Sequence, residues 1–366
     1  MTQKNNPCDS ATLEEPKPVE GGARRPRIGI AGNNPDSDET RMLLTPEGCG
    51  MLCSGGFDIC IESGAAIDIS FTDADYTGFG VSVVSREEVL RSDIVLSFRP
   101  LPAKDIARMN PGGVMLCMMD TSLFEPEVIK ALQTHRITAG CFDNMYSYND
   151  EPVFANILDE IDGRGAIMYA QEALSYSGGG KGVLMAGVAG INPCEVLIIG
   201  DGSDVCAAAK AAMAVGASVT LMNNDISALQ VAKQYCGDQL NCVAIHPKVL
   251  YNKVKTADVI LLGTCTRTFE FPKNLSPALK DNVYILSFEE THPSISVPRT
   301  VAMALSNVLV NFFNELLIKG GFKEMVASTQ GVQCGVVTYG GTLVDKLVGA
   351  YLGMPSVDIS VLLATN

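Results

Sequence analysis

Little in this sequence suits a charged polymer, an oxidising compartment or a bilayer. The 366 residues carry a formal net charge of −14, and Arg24-Arg25-Pro26-Arg27 is the one basic run. Proteins that track phosphate backbones need a basic stripe, so nucleic acid is not an expected partner. That short run reads as the solvating end of a polar leader. The 12 cysteines form neither CxxC pairs nor Cys/His spacings. Such scatter excludes a disulfide or zinc framework and leaves small buried apolar residues in a reducing, cytoplasmic setting, with no metal expected. Residues 1–26 lack the apolar core of a signal peptide and are expected to be a disordered leader. No stretch reaches the ~18 uninterrupted apolar residues of a membrane span, so no membrane is expected.

What is present is a globular composition, 47% hydrophobic and 19% charged, in a chain long enough for two domains. From Arg27 onward short apolar runs alternate with helical patterns. Strands are expected at 28–30, 57–62, 93–98, 114–118 and 137–141, with helices at 46–54 and 126–134. A helix over 159–176 then ends in Ser177-Gly178-Gly179-Gly180, and further strands follow at 194–199, 218–222, 243–245, 259–262 and 283–286. The stretch 302–319 reads as a long helix with Leu305, Val308, Leu309, Phe312 and Leu316 at helical spacing. A strand at 335–339, a Gly340-Gly341 turn and a helix over 343–352 close the chain. The expected fold is α/β, with two Rossmann-like doubly wound domains joined by long helices. The first is discontinuous, 27–153 with 301–366, and the second spans 154–300.

The clearest functional signal is Val196-Leu197-Ile198-Ile199-Gly200-Asp201-Gly202-Ser203-Asp204-Val205, a buried strand running into a glycine turn and an alanine-rich helix. Gly200 supplies the tight turn, and Gly202 lets backbone approach a pyrophosphate at the positive helix end. Val205 stands where the third glycine of the pattern would be. Asp201 and Asp204 place carboxylates near the phosphates, and the second strand ends in Asn223-Asn224-Asp225 where an acid usually meets the ribose hydroxyls. The candidate dinucleotide set is Gly200, Gly202, Ser203, Asp204, Val205 and Asn223, with Asp225 as a displaced ribose acid. No arginine follows to favour a 2′-phosphate, so the expected cofactor is NAD. The alternative is a Rossmann unit that binds dinucleotide weakly or not at all.

Several stretches carry a family resemblance in order. They are Arg27-Ile28-Gly29-Ile30, Glu39-Thr40-Arg41-Met42-Leu43-Leu44-Thr45-Pro46, Lys181-Gly182-Val183-Leu184-Met185-Ala186-Gly187-Val188-Ala189-Gly190-Ile191, Val297-Pro298-Arg299-Thr300 and Gly349-Ala350-Tyr351-Leu352-Gly353. Over about 27–366 the chain resembles the family of alanine dehydrogenases and transhydrogenase N-terminal domains. The resemblance implies that Arg41 binds a substrate carboxylate and that Arg99 stands near a second cation, a lysine in the family. The arginine fork suits a carboxylate but cannot act as a base. Either residue also reads as a plain solvated charge. The substrate class implied is a small amino or 2-oxo acid, and the assembly a homo-oligomer, a dimer or a hexamer.

The family's catalytic positions are replaced. Thr121 falls at the histidine, with Asp120 beside it as the group able to move a proton if its pKa is raised. The family's loop aspartate has no counterpart in the shortened 287–298 segment. His292 in that segment, with Glu289 or Glu290 to orient it, reads either as an acid–base group or as a functionless loop histidine. Asp159, Glu160 and Asp162 read as acids of a helix's first turn or as the lining of a metal or amine site. The activity implied is an NAD-dependent dehydrogenation with Asp120 and His292 catalytic. A non-catalytic nucleotide-binding or regulatory relative is the alternative.

Overall fold

The computed structural model describes residues 24–35, 37–118, 124–147, 149–263 and 273–364. Most of the expected leader, together with Asp120 and Thr121, lies outside them. Among the described residues, thirteen strands form two sheets. The first contains β1 (Arg27–Ile30), β2 (Asp58–Glu62), β3 (Ser82–Val84), β4 (Ile94–Ser97), β5 (Val114–Cys117) and β6 (Thr138–Cys141). The second contains β7 (Glu195–Ile199), β8 (Ser218–Asn223), β9 (Asn241–Ala244), β10 (Val259–Leu262) and β11 (Tyr284–Ser287). Late in the chain, β12 (Val336–Tyr339) and β13 (Thr342–Leu343) return to the first sheet.

Helices cover these sheets. In the first part of the chain they are α1 (Pro46–Gly55), α2 (Asp73–Thr77), α3 (Arg86–Leu90), α4 (Ala103–Ile106), α5 (Pro126–Thr134) and α6 (Val153–Leu174). Then come α7 (Ser203–Val215), α8 (Ile226–Cys236), α9 (Pro247–Thr256), α10 (Pro298–Lys319), α11 (Phe322–Ser328), α12 (Gln330–Gln333), α13 (Lys346–Leu352) and α14 (Ile359–Ala364).

The first sheet runs β13-β12-β6-β5-β4-β1-β2-β3 and the second β11-β10-β7-β8-β9. In each, the strand that starts the unit lies in the middle and the order reverses beside it, between β1 and β4 and between β7 and β10. The strands β1 to β6 and β7 to β11 pair in parallel, while β12 is antiparallel to β6. This is the doubly wound arrangement, in which ligands bind beyond the strand ends at the reversal point. Burial on both faces explains why β4, β5 and β10 are near-continuous apolar runs.

Three elements differ from their sequence expectation. Gly340 and Gly341 adopt positive φ, 56° and 84°, and turn the chain into a hairpin, so Thr342–Leu343 is strand and helix α13 waits for its Asp345 cap. Strand β3 is three residues long with Ser82 exposed, too short to show a pattern. Helix α6 begins at Val153, so Asp159 and Asp162 lie inside it and not in its first turn. The helix dipole does not account for these two acids.

Helix α6 is the joint of the molecule. At its start, Phe154 packs on Phe142 and Phe312, whose ring also meets Phe313 of α10. Among the described residues, α10 is the one helix long and apolar enough to cross a membrane. Its Val301, Leu305, Leu309, Phe312 and Phe313 are buried in the core of the first sheet. Further along α6, Gly163 lies against α7 and Gly165 against Pro293. A Cβ on Gly163 would sit 2.2 Å from the Asp204 carbonyl oxygen and 2.8 Å from Ala207 Cβ.

Substituting Gly163→Ala therefore overpacks the joint, at a cost of about 1–3 kcal/mol. Urea unfolding followed by circular dichroism should show a lower midpoint with an unchanged slope. A wild-type midpoint would contradict so close a seat.

Candidate functional site

At the reversal point of the second sheet, the buried residues Val196–Ile199 deliver the chain into Gly200 and Gly202, at φ 137° and 112°. Both angles lie in the region that favours glycine. Gly202 is the N-cap of α7 and brings no side chain to satisfy the amides of the first turn. An anion placed there would meet amide hydrogens and the positive helix end. Val205 is fully buried, and the room it takes is provided across the sheet. A Cβ on Gly263, just beyond β10, would lie 2.4 Å from Val205 Cγ2. The glycine missing from the turn is thus compensated on the neighbouring strand.

A cavity of about 460 Å³ opens off this turn, walled by Gly200, Gly202, Ser203, Cys206, Val231 and Tyr235. Ser203 Oγ donates to Asn156 Oδ1 at 2.9 Å, tying the turn to α6. Asp201 also lines the cavity, and burial, helped by Asp225, raises its pKa. At the end of β8, Asn223 Oδ1 accepts the Asp225 N–H at 2.9 Å. Asp225 in turn caps α8 by accepting the Ser227 N–H at 2.8 Å, and its bonds from Ser227 lower its pKa. Asp225 thus spends Oδ1 on that cap.

Four residues of α6 face the same way. Asn156, Asp159, Asp162 and Gly163 recur at three- and four-residue spacing, which stacks them on one side of a helix. Asn156 meets Ser203, Gly163 meets Asp204, and between them Asp162 Oδ1 accepts the Ser294 N–H at 2.6 Å. His292 Nδ1 lies 3.7 Å from Asp162 Oδ2. Glu289 and Glu290 are exposed. Among the described residues, the carboxylate within ion-pair distance of His292 is thus Asp162, from α6 and not from the segment that holds Glu289 and Glu290. Burial, with Asp204 and Asp162 adding to it, raises the Asp159 pKa to about 7, against a smaller opposing effect of His292.

The reversal point of the first sheet holds the arginines. Arg99 follows β4, and Arg41 lies in the loop after β1. The Arg41 side chain is 1% exposed. Its Nε and Nη2 donate to the two Glu39 carboxylate oxygens at 2.8 Å each, Nη1 donates to Ser294 Oγ at 2.8 Å, and the Phe98 ring covers one guanidinium face at 4.3 Å. Arg99 donates from Nε to Glu39 Oε2 and from Nη2 to Asp38 Oδ1, both at 3.0 Å. Burial opposes ionisation of Glu39, but the bonds from Arg41 and Arg99 outweigh it and lower its pKa. The two arginines converge on Glu39; Arg41 is buried and so is not a solvated charge, whereas Arg99 is 33% exposed. Both close on a carboxylate of the chain itself. Glu39, Asp162 and Ser294 were not singled out for these contacts; for Glu39 the available signal was its place two residues before Arg41.

These contacts form one line across the molecule, from Arg99 and Arg41 through Ser294 and Asp162 to His292, beside the turn at 200–204. Among the described residues no group of three His, Cys, Asp or Glu is placed to hold a metal ion.

With this geometry in hand, comparison with known proteins is specific. The alanine dehydrogenase/PNT N-terminal domain family matches residues 33–155, and its C-terminal domain family matches 166–266. The chain is 26% identical over 353 residues to an alanine dehydrogenase of Bacillus subtilis, covering 87% of this chain and 92% of the relative. It is 25% identical over 379 residues to one of Mycobacterium tuberculosis, covering 92% and 100%. Among solved structures, an L-alanine dehydrogenase superposes with a TM-score of 0.79 at 21% identity, covering 89% of this chain and 99% of that one. A transhydrogenase from Sinorhizobium meliloti superposes at 0.71 and 16% identity, covering 88% and 99%. These two likenesses show the fold.

The half-buried Asp159 carboxyl of α6 makes stability depend on pH. Asp159 keeps its proton to about pH 7 when folded, against an ordinary value of 3.8. Between those limits the folded chain holds more protons, so stability falls as pH rises, by at most about 1.4 kcal/mol per unit. Asp159→Asn removes the charge that is unfavourable above pH 7. The variant should melt higher than wild type at pH 8 and together with it near pH 4. Equal melting at both pH values would contradict the raised Asp159 pKa.

Proposed function

Because the chain belongs to the alanine dehydrogenase/PNT family, we propose that it is an NAD-dependent oxidoreductase that moves hydride between a small amino acid or 2-oxo acid and nicotinamide. The family similarity supports a dehydrogenase-like function. The observation that carries the finer reading is the turn at Gly200 and Gly202, which opens α7 onto a cavity at the reversal point of its sheet.

The residues there fit a dinucleotide. Gly202 permits close approach, the amides of Ser203, Asp204 and Val205 begin the helix, and Ser203 is held by Asn156. Asn223 stands at the ribose end. When bound, NAD would supply the hydride acceptor. The chain supplies orientation and proton handling. Arg41 and Arg99 would fix the substrate carboxylate at the first sheet's reversal point, once Glu39 yields. His292, oriented by Asp162, would exchange the proton of the substrate's amino or hydroxyl group; Asp120, expected from the sequence to have the same role, lies outside the described residues. The buried line from Arg41 through Ser294 to Asp162 sets the distance between the carboxylate and proton-transfer ends.

One observation favours the second reading, a non-catalytic nucleotide-binding or regulatory relative. Glu39 and Asp38 already neutralise both arginines. A cytoplasmic location is supported by the cysteines among the described residues, all of which are free. A homo-oligomer, dimer or hexamer, is supported by the exposed apolar residues Tyr176, Leu184, Val188 and Ile191 between α6 and β7.

The sequence has no tryptophan, so NADH emission can be followed without protein interference. NADH should bind the wild type. Gly202→Val puts a side chain where the dinucleotide would approach the backbone, and the folded variant should bind NADH roughly 10- to 100-fold more weakly, about 1.4–2.8 kcal/mol. An amino-acid panel with NAD should then give NADH with the wild type and none with Arg41→Ala. No NADH binding to the folded chain would overturn the proposal, and binding without turnover would select the regulatory reading.

A further inference from the structure

The Glu39 carboxylate has the geometry of a bound ligand. It meets the Arg41 fork through both oxygens at 2.8 Å, accepts the Arg41 backbone N–H at 3.0 Å and takes a further bond from Arg99 at 3.0 Å. A two-pronged contact from one arginine with support from a second is how proteins hold small carboxylates. Resting on the reading of these arginines as the carboxylate end of the site, we infer that Glu39 is an internal occupant of that position, and that a small monocarboxylate enters by displacing it.

The exchange is chemically even. One carboxylate leaves two guanidinium groups and another replaces it, so no buried cation is stranded. Retracting the Glu39 side chain breaks no helix or strand hydrogen bond, because the described residues 37–45 ahead of α1 are neither helix nor strand. The entry side is the Arg99 end, where the arginine side chain is 33% exposed and its partner Asp38 77% exposed. The far end is closed by Ser294, which Asp162 holds through its backbone N–H. Glu39 is tethered two residues from Arg41, so a free carboxylate competes with an internal one at an effective concentration of about millimolar or more. Apparent affinity for free carboxylates is lowered by the fraction of time Glu39 stays in place. This contact sets a concentration threshold for the ligand.

The test uses the full chain without dinucleotide, with pyruvate, acetate and neutral acetamide as probes. Glu39→Gln keeps the volume and removes the charge. Calorimetric titration should show pyruvate binding at least about tenfold tighter to it than to wild type, and adding Arg41→Lys should remove the gain. Glu39→Ala leaves a carboxylate-sized space. Its melting temperature should fall and then rise with acetate and with pyruvate, but not with acetamide; if this variant does not fold, Glu39→Gln decides. Equal pyruvate affinity in wild type and Glu39→Gln, or no binding to the folded variant, overturns the inference. Recovery by acetate but not pyruvate does so too, because Glu39 is then a brace in a sealed ion pair. NADH titrations of the same samples separate the two claims. A pyruvate gain without NADH binding keeps the displaceable Glu39 and removes the oxidoreductase reading. NADH binding without a pyruvate gain removes the displaceable Glu39 alone.

Discussion

The arrangement of the cleft depends on how closely α6 lies against α7. Where Gly163 crosses the first turn of α7 there is no room for even a methyl group, and that proximity fixes everything nearby. It brings Asn156 to Ser203 and so anchors the glycine turn. It also forces Asp159 and Asp162 toward Asp204, a crowding of carboxylates that water would otherwise screen. The same helix seats Gly165 on Pro293, which holds Ser294 and His292 over Asp162. Close helix packing and an unusual electrostatic site are one feature.

The charges in the cleft divide accordingly. On the first sheet's side, two arginines and two acids pair at hydrogen-bond distance, and Glu39 remains ionised despite burial. On the α6 side, acids face acids, and one of them retains its proton to near neutrality. Ser294 stands between, accepting from Arg41 on its hydroxyl and donating to Asp162 from its backbone. Removing one partner of the Arg41–Glu39 pair leaves a buried charge without compensation, a far larger penalty than losing a surface pair. The proposed exchange with a small carboxylate gives that pair a use besides stability.

Much of the architecture was legible because it is local. Apolar runs ending in glycine give strands, and Val196–Gly202 announces its turn by residue type alone. The features missed are those that join distant residues. Val205 reads as a defect in the glycine pattern until Gly263, on another strand, is seen to make room for it. Arg41 reads as open to substrate until Glu39 is seen folded back onto it. His292 reads as the partner of adjacent glutamates, yet the fold supplies Asp162 from a helix far earlier in the chain. The start of α6 was misplaced because acids at 159–162 imitate a first turn, whereas the helix starts after Pro152 with no capping side chain.

In the proposed function the cleft is a single site with a nucleotide end at Gly202 and a carboxylate end at Arg41. A crystal structure of the chain with NADH and pyruvate tests it most directly. The result predicted is dinucleotide phosphate against the first turn of α7, pyruvate on Arg41 and Arg99, and Glu39 turned away. A structure obtained under saturating ligand in which that turn is empty and Glu39 still grips Arg41 would contradict it.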